Sequence, residues 1–315
     1  MPEIEIAVPS YNCAPWIDAF FESVTAQDFT DWRIVVRDDA STDGTPARLA
    51  WWQSRLGDRM VILDGPGGRN LGMVGNYDAV LAATNAPFVM LADPDDVWQP
   101  GKISQTHRAM WEAEAVSPAR TPVLVCTDAR VVDRDLQPIA SSYWRWARVN
   151  PNLADELHRL AVESPVLAPM VNRALLQLAL PLTGAAACAD WWLALVAGAF
   201  GRIVRLPATT FLYRRHPAND SLDPFGSTII GAIRRTFADF GEPRRRAGRL
   251  VRQCAPQAAA FAARFHDRLR ARDLAAFGAA ARLPSLGAFA RRWTVIRHDL
   301  WFSSPLKDVG FLLLM

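Results

Sequence analysis

Through its first 135 residues the chain alternates short β-branched runs with segments of helical periodicity, and that alternation admits few folds. "IEIAV" and "WRIVV" are apolar runs bounded by turn residues, the pattern of buried strands. Between them Ile17, Phe20, Phe21 and Val24 recur at helical spacing. The order continues with "MVIL" (strand), "MVGNYDAVLAAT" (helix), "FVMLAD" (strand), "GKISQTHRAMWEAE" (helix) and "PVLVCTDA" (strand). Alternation at this pitch predicts an α/β fold: an α/β/α sandwich whose mainly parallel central sheet is covered on both faces. Ligands of such sheets collect at the carboxyl ends of the strands. Polar clusters fall at those ends: Ser10-Tyr11-Asn12, Asp38-Asp39 and Asp93-Asp95-Asp96.

After about Asp135 the pattern loosens. A helix is expected around Leu153–Val162, followed by "VNRALLQLAL" and by "ADWWLALVAGAF", a buried helix with Trp192, Leu195, Val196 and Ala199 on one stripe. "RIVRLP" and "TTFLYRRH" close the body as two strands, and "HPANDSLDPFGS" reads as a linker. The expected boundary lies near Phe225, giving a body of residues 1–225 (halves of about 1–135 and 136–225) and a helical, basic tail of residues 226–315. The tail carries 16 Arg/Lys against 6 Asp/Glu, whereas the body carries 19 against 26. An acidic body suits a cation, and a basic tail suits an anionic surface. The four cysteines are scattered without metal-ligand spacing, which fits reduced thiols. "MPEIEIAVPS" lacks the build of a signal peptide, and no apolar run approaches the ~20 residues of a spanning helix. A cytoplasmic protein, peripheral at the membrane if it meets one, is the expectation.

Asp93 and Asp95, separated by Pro94, can both face one point beyond a strand end. Divalent Mg²⁺ or Mn²⁺ takes oxygen ligands and keeps substrate phosphates in its shell. Asp and Pro also mark turns, so the cluster alone fits either reading. In "VVRDDASTDGT", Ser41 to Asp43 suit the cap of the next helix. Capping does not account for Asp38 and Asp39, which stand where an acid can accept a hydrogen bond from a nucleobase or ribose.

"VPSYN", "RDDASTDGT", "RNLGMVGN", "DPDDVWQPGKI" and "ADWW", in this order, resemble a family 2 glycosyltransferase of the GT-A fold, in its rhamnosyltransferase-like branch. The resemblance covers roughly residues 4–220. It implies an inverting, metal-dependent transfer from a nucleotide-sugar (dTDP-rhamnose or a UDP-sugar) to a glycan or lipid-linked acceptor. Under it, Tyr11 stacks on the nucleobase, with the Pro9 strand end shaping the pocket. Asp39 accepts a hydrogen bond from the base, supported by Asp38. Arg69, Asn70 and Asn76 of "GPGGRNLGMVGN" approach ribose and phosphates. Asp95 holds the metal, Asp93 meets ribose or metal, and Asp96 supports the pair or caps a helix. Asp190 of "DWW" is the implied general base, although the residue also suits a helix N-cap. His216 in "YRRHPAN" is implied near the metal; a surface histidine at a strand end is the plain alternative.

Three positions depart from the family pattern, all on the acceptor side: Ala189 replaces the usual "HDWW" histidine, "VLAPMVNR" replaces a small polar stretch, and "TGAAACADWW" is alanine-rich. A scaffold that binds nucleotide-sugars without catalysis is therefore an alternative. A sugar nucleotidyltransferase is a weaker one, because "VPSYNCAPW" stands where its Gly-rich signature loop would follow the first strand. In the tail, Phe261, Phe265 and Leu269 recur every four residues beside Arg264, Arg268 and Arg272, describing an amphipathic basic helix. That tail fits an anionic membrane leaflet or a homodimer contact; no nucleic-acid module supports a third reading.

Overall fold

The computed structural model describes residues 1–63, 68–151, 157–164, 166–216 and 241–301 with 308 and 312, the side chains of 241–250 excepted. The linker after His216, the boundary near Phe225, Leu153–Glu156 of an expected helix and most of the last fourteen residues lie outside them.

The elements run β1 (Ile4–Ser10), α1 (Ile17–Thr25), β2 (Trp32–Asp38), α2 (Thr45–Leu56), β3 (Met60–Ile62), α3 (Gly72–Ala82), β4 (Phe88–Leu91), β5 (Val97–Trp98), α4 (Lys102–Ala115), β6 (Val123–Val132) and β7 (Pro138–Ala140). There follow α5 (Tyr143–Trp146), α6 (Leu157–Leu160), β8 (Met170–Asn172), α7 (Arg173–Ala179), α8 (Ala189–Phe200), β9 (Arg202–Arg214), α9 (Gly241–Arg264), α10 (Ala271–Arg282) and α11 (Ala288–Arg297). They form two compact units: residues 1–142, 166–184 and 188–216 in one, and 143–165, 185–187 and 217–315 in the other. The expected acceptor half of 136–225 is thus divided between them.

The first unit is built on one sheet of order β3-β2-β1-β4-β8-β6-β9-β5, with β7 beside β6. β3, β2, β1 and β4 pair in parallel, while β8 is antiparallel to both β4 and β6. Strands buried on both faces need apolar residues at successive positions. β1 and β2 meet that need: Ile4, Ile6, Ala7, Val8, Ile34 and Val36 are all sealed from solvent. Phe20 and Phe21 of α1 and Trp192 of α8 complete this core.

"RIVRLP" and "TTFLYRRH" are one continuous strand, β9, not two. β6 offers it a long parallel partner, and two register shifts around Asp128 absorb the residues that interrupt the apolar pattern. The turn from α8 into β9 needs a glycine: a Cβ on Gly201 would sit 1.9 Å from the Pro122 carbonyl oxygen. Asn172 ties three elements together by capping α7 through Leu175 N–H, accepting from Val123 N–H, and donating to Glu114 and the Thr121 carbonyl.

In the second unit α9 and α10 pack through aromatic rings. Phe261 and Phe265 are 0% and 3% exposed, and Phe261 stacks against Phe277 with ring centroids 4.6 Å apart. The Phe261/Phe265 stripe, expected to meet a membrane or a second copy of the chain, is the internal face of a helical unit, and the helix ends at Arg264, before Leu269. His158 of α6 reaches Asp273 of α10 at 2.8 Å, and Arg270 holds the other oxygen of that carboxylate at 2.6 Å. All four cysteines are free thiols. Among the described residues no helix is long and apolar enough to cross a membrane.

Candidate active site

The carboxyl ends of β1, β2 and β4 carry the three polar clusters together, because parallel pairing in register sets Ser10 opposite Asp38. The loops after β1 and β2 are zipped to each other. Asn12 N–H donates to Ser41 Oγ, Asn12 Oδ1 accepts from Thr42 N–H, and Ala14 N–H donates to Asp43. Of Ser41 to Asp43, the expected caps of α2, Asp43 accepts from the N–H of Thr45 at the start of the helix, whose N-cap position is Gly44, while Ser41 and Thr42 fasten the loops. Tyr11 projects from this seam with 53% of its surface exposed, so its ring face is available for stacking.

Asp38 and Asp39 part company. Asp38 accepts from Ser41 N–H and Oγ and from Ser10 Oγ, and stays partly exposed. Asp39 is 2% exposed and spends both oxygens internally, on Arg37 at 2.6 Å and on Leu71 and Gly72 N–H at 2.7 and 2.9 Å. Arg37 also donates to Asn76 Oδ1 and to the Arg69 carbonyl. This buried ion pair fastens the loop before α3, in which Gly72 takes the left-handed φ of 72° that favours glycine. Asn76 does not approach the loop surface as expected; it is buried, with its amide donating to the carbonyls of Ser10 and Arg37. Its helical position in α3 turns it toward β1 and β2, a placement the Gly-rich motif conceals. Arg69 and Asn70 remain exposed, and Asn70 donates to the Asp39 carbonyl. Gly65 to Gly67 of the motif lie outside the described residues. Removing one member of a buried pair strands the other charge. Arg37→Leu is accordingly expected to lower the unfolding free energy by roughly 3–5 kcal/mol, read by urea denaturation.

Around "DPDDVW" the three acids take separate places. Asp93 accepts a 2.7 Å hydrogen bond from the hydroxyl of the buried Tyr77. Asp96 turns inward, 2% exposed, and accepts from Arg214 N–H at 3.0 Å. Asp95 faces His216, Oδ2 to Nε2 3.0 Å. The strand β9 holds this turn: Arg214 donates from Nε to the Asp95 carbonyl and from Nη1 to the Arg134 carbonyl. Trp16 finishes the clamp, stacked on His216 at 5.0 Å with the Arg214 guanidinium 4.9 Å from its ring. Trp98 is buried edge-on against Phe20, and its backbone N–H donates to Ser23 Oγ.

Lys102 lies beneath the same turn, fully buried, with its ammonium 4.3 Å from the Phe211 ring centre and bonded to the Ala168 carbonyl. Burial pushes it down to about 7, while Asp96, Cys126 and Asp93 pull it up. The sequence showed it only as the first residue of an amphipathic helix. A lysine flanked by apolar residues at that position was the one available signal.

Asp190 sits in the first turn of α8, where the helix terminus favours a negative charge. The N-cap is Cys188, not Asp190, and Asp190 Oδ1 accepts from Trp191 N–H at 2.7 Å. Desolvation raises its carboxyl above the usual aspartate range, against hydrogen bonds from the Cys188 thiol and backbone N–H groups that lower it. Asp190 acts on the acids of β4: burial, then Asp95, then Asp190 push the Asp93 carboxyl up to about 7, opposed by Tyr77 and Lys102. Burial, then Asp95 and Asp93, hold Asp96 well above its ordinary range.

A divalent cation fits this donor set. Asp95 raises both Asp93 and Asp96 even with Lys102 opposing it, so a further positive charge at this turn is favoured. Among the described residues no three or more His, Cys, Asp or Glu side chains form a cage by themselves. Mg²⁺ and Mn²⁺ are commonly held by one or two protein carboxylates plus phosphate and water oxygens.

Acids gathered at the carboxyl ends of the strands of a mixed α/β sheet, with the exposed Tyr11 following β1, fit a GT-A-type glycosyltransferase. Residues 5–156, just under half of the chain, match the family model described as Glycosyl transferase family 2. An uncharacterized glycosyltransferase of Nostoc sp. is 23% identical over 235 residues, 72% of this chain and 69% of its own length. The Escherichia coli protein WfgD, named as a UDP-Glc:α-D-GlcNAc-diphosphoundecaprenol β-1,3-glucosyltransferase, is 28% identical over 100 residues, 32% of this chain and 38% of its own length. The mannosyltransferase PcManGT of Pyrobaculum calidifontis, solved with GDP-Man and Mn²⁺, shares the fold with a TM-score of 0.53 at 18% identity, over 98% of this chain and 87% of that one.

Proposed function

We propose that this chain is an inverting, cation-dependent transferase that moves one sugar from a nucleotide-sugar to a hydroxyl of a surface polysaccharide or lipid-linked oligosaccharide. The observation that carries the reading is the arrangement of acids after β4, with Asp95 facing His216 at 3.0 Å and Asp93 held by Tyr77 at 2.7 Å, inside the segment that matches the family 2 model. WfgD's named lipid-diphosphate acceptor and the GDP-Man and Mn²⁺ of PcManGT support the acceptor class, donor class and metal. The donor is a dTDP-rhamnose or UDP-sugar type, in keeping with the rhamnosyltransferase-like motifs. The site works at the cytoplasmic face of a membrane, with the second unit as the contact.

In this reading Tyr11 stacks on the base. Asp38, the more accessible of its pair, accepts a hydrogen bond from the base or ribose, and Asp39 orders the loop carrying Arg69 and Asn70 against the phosphates. Asp95, Asp93 and His216 would hold the cation, which would supply charge neutralisation for the departing diphosphate. Asp190 takes the proton from the acceptor hydroxyl as its oxygen bonds the anomeric carbon and the bond to the diphosphate breaks on the opposite face. A single displacement of this kind inverts the anomeric centre. The raised carboxyl of Asp190 makes it a better base than an ordinary aspartate. Trp191 and Trp192 are buried and fix the helix that carries it.

A panel of nucleotide-sugars tested for thermal stabilisation with and without Mn²⁺ checks this reading. One donor is expected to raise Tm only when the metal is present. Stabilisation by none of the panel, with or without metal, would remove it.

A further inference from the structure

The second unit exposes an apolar face on α11. Phe261 and Phe265 are internal, whereas Phe289, Trp293 and Ile296 of α11 are 84%, 58% and 50% exposed. At about 100° per residue these three positions fall within roughly 60° of one another around the helix. Arg292 and Arg297 fall on opposite sides of that stripe. The reverse side of the helix is the packed one: Val295 is fully buried there, and Arg291 donates to the carbonyls of Leu283 and Leu286. One face thus anchors α11 within its own unit, and the other holds a phenylalanine, a tryptophan and an isoleucine in water.

Charge says what covers it. From Val251 to Trp301 the chain has nine arginines and three aspartates, with no glutamate. Asp273, one of the three, is consumed by Arg270 and His158. α11 itself carries Arg291, Arg292 and Arg297 and no acid. Arg292 uses its Nε on the Leu312 carbonyl, which directs the guanidinium along the flank of the helix. A protein partner would need an acidic rim around an apolar groove, matched in shape. An anionic lipid leaflet supplies both properties by its nature, with phosphates for the arginines and an interface suited to tryptophan and phenylalanine.

We propose that α11 is the membrane-docking element of this protein, lying in the plane of an anionic leaflet with Phe289, Trp293 and Ile296 inserted and Arg292 and Arg297 at the phosphates. This deepens the peripheral location given above and assigns it to one helix face. The unit's other aromatic stripe, Phe261 and Phe265, is internal packing.

The full chain is sedimented with vesicles of phosphatidylglycerol and phosphatidylcholine in equal parts, and with phosphatidylcholine alone. Wild type is expected to bind the first, weakly at high salt, and to leave the second in solution. The F289E/W293E variant is expected to lose at least ~10-fold in partition, with its circular dichroism unchanged because both side chains start in water. The conservative variant W293F is expected to retain most of the binding. Equal sedimentation of wild type and F289E/W293E would overturn the assignment. So would a wild-type dimer that F289E/W293E dissolves while neither form binds vesicles, which would make the face a contact between copies. Binding is read without any sugar donor, so failure of the transferase reading leaves this result interpretable.

Discussion

Asp95→Asn is expected to abolish transfer and, with it, the proposed Mn²⁺-dependent stabilisation by the donor. The expected loss in kcat/KM is at least ~10³-fold, because the leaving diphosphate then develops its charge without a fixed counter-charge. The substitution is nearly isosteric, and what holds the turn is not the carboxylate. Arg214 bonds the backbone carbonyl of Asp95 and the carboxylate of Asp96, and both contacts survive the change. His216 keeps an oxygen or amide partner at the same place, so the clamp with Trp16 persists. The folded protein is thus expected to unfold at much the same temperature as wild type when neither ligand is present. Asp95 is also the largest charged contributor to the raised Asp93 carboxyl, so its neutralisation returns Asp93 toward the ordinary range. Thermal shift with Mn²⁺ and donor separates the outcomes. A variant that still shows the metal-dependent shift and full turnover would remove Asp95 from the cation site.

The contrast between Asp95 and Asp39 shows where sequence reading ends. The strands and helices of residues 4–132 were legible because hydrophobic period is a one-dimensional property, and the sheet order follows from burying both faces. The grouping of clusters at strand ends was legible for the same reason. The partition of roles within a cluster was not. Asp38 and Asp39 are adjacent and chemically identical, yet a strand turns neighbours to opposite sides. One stays near solvent and the other meets Arg37, which the pattern "VVRDD" does not single out. Asn76 and Lys102 were obscured similarly, since each needs a distant partner before burial makes sense: the carbonyls of β1 and β2 for Asn76, and Phe211 of β9 for Lys102. The tail went astray through geometry. An every-fourth-residue aromatic stripe predicts an apolar face but not what lies against it, and Phe277 of the next helix lies against this one.

Asp190→Asn is expected to lose transfer by ~10²–10⁴-fold, the usual contribution of a general base, while donor and cation binding persist. The same variant is expected to melt at a higher temperature than wild type at neutral pH. The folded carboxyl lies above its unfolded value, chiefly through desolvation, so the folded state favours the protonated form. Above the unfolded value of ~3.9 the unfolded chain ionises more readily than the folded one, and folding pays increasingly until pH passes the folded value. An asparagine removes that cost and keeps an oxygen for Trp191 N–H. The gain in Tm therefore disappears as pH falls below the ordinary aspartate range, where both proteins carry a neutral side chain. For wild type the same direction of shift sets the acid limb of the kcat/KM profile above the ordinary aspartate value. Tm scans against pH for the two proteins read the sign directly. A base placed for catalysis destabilises the fold that holds it, whereas an aspartate kept only as a helix-end charge would stabilise α8. A fall in Tm on Asp190→Asn together with unchanged transfer would return the residue to that structural role.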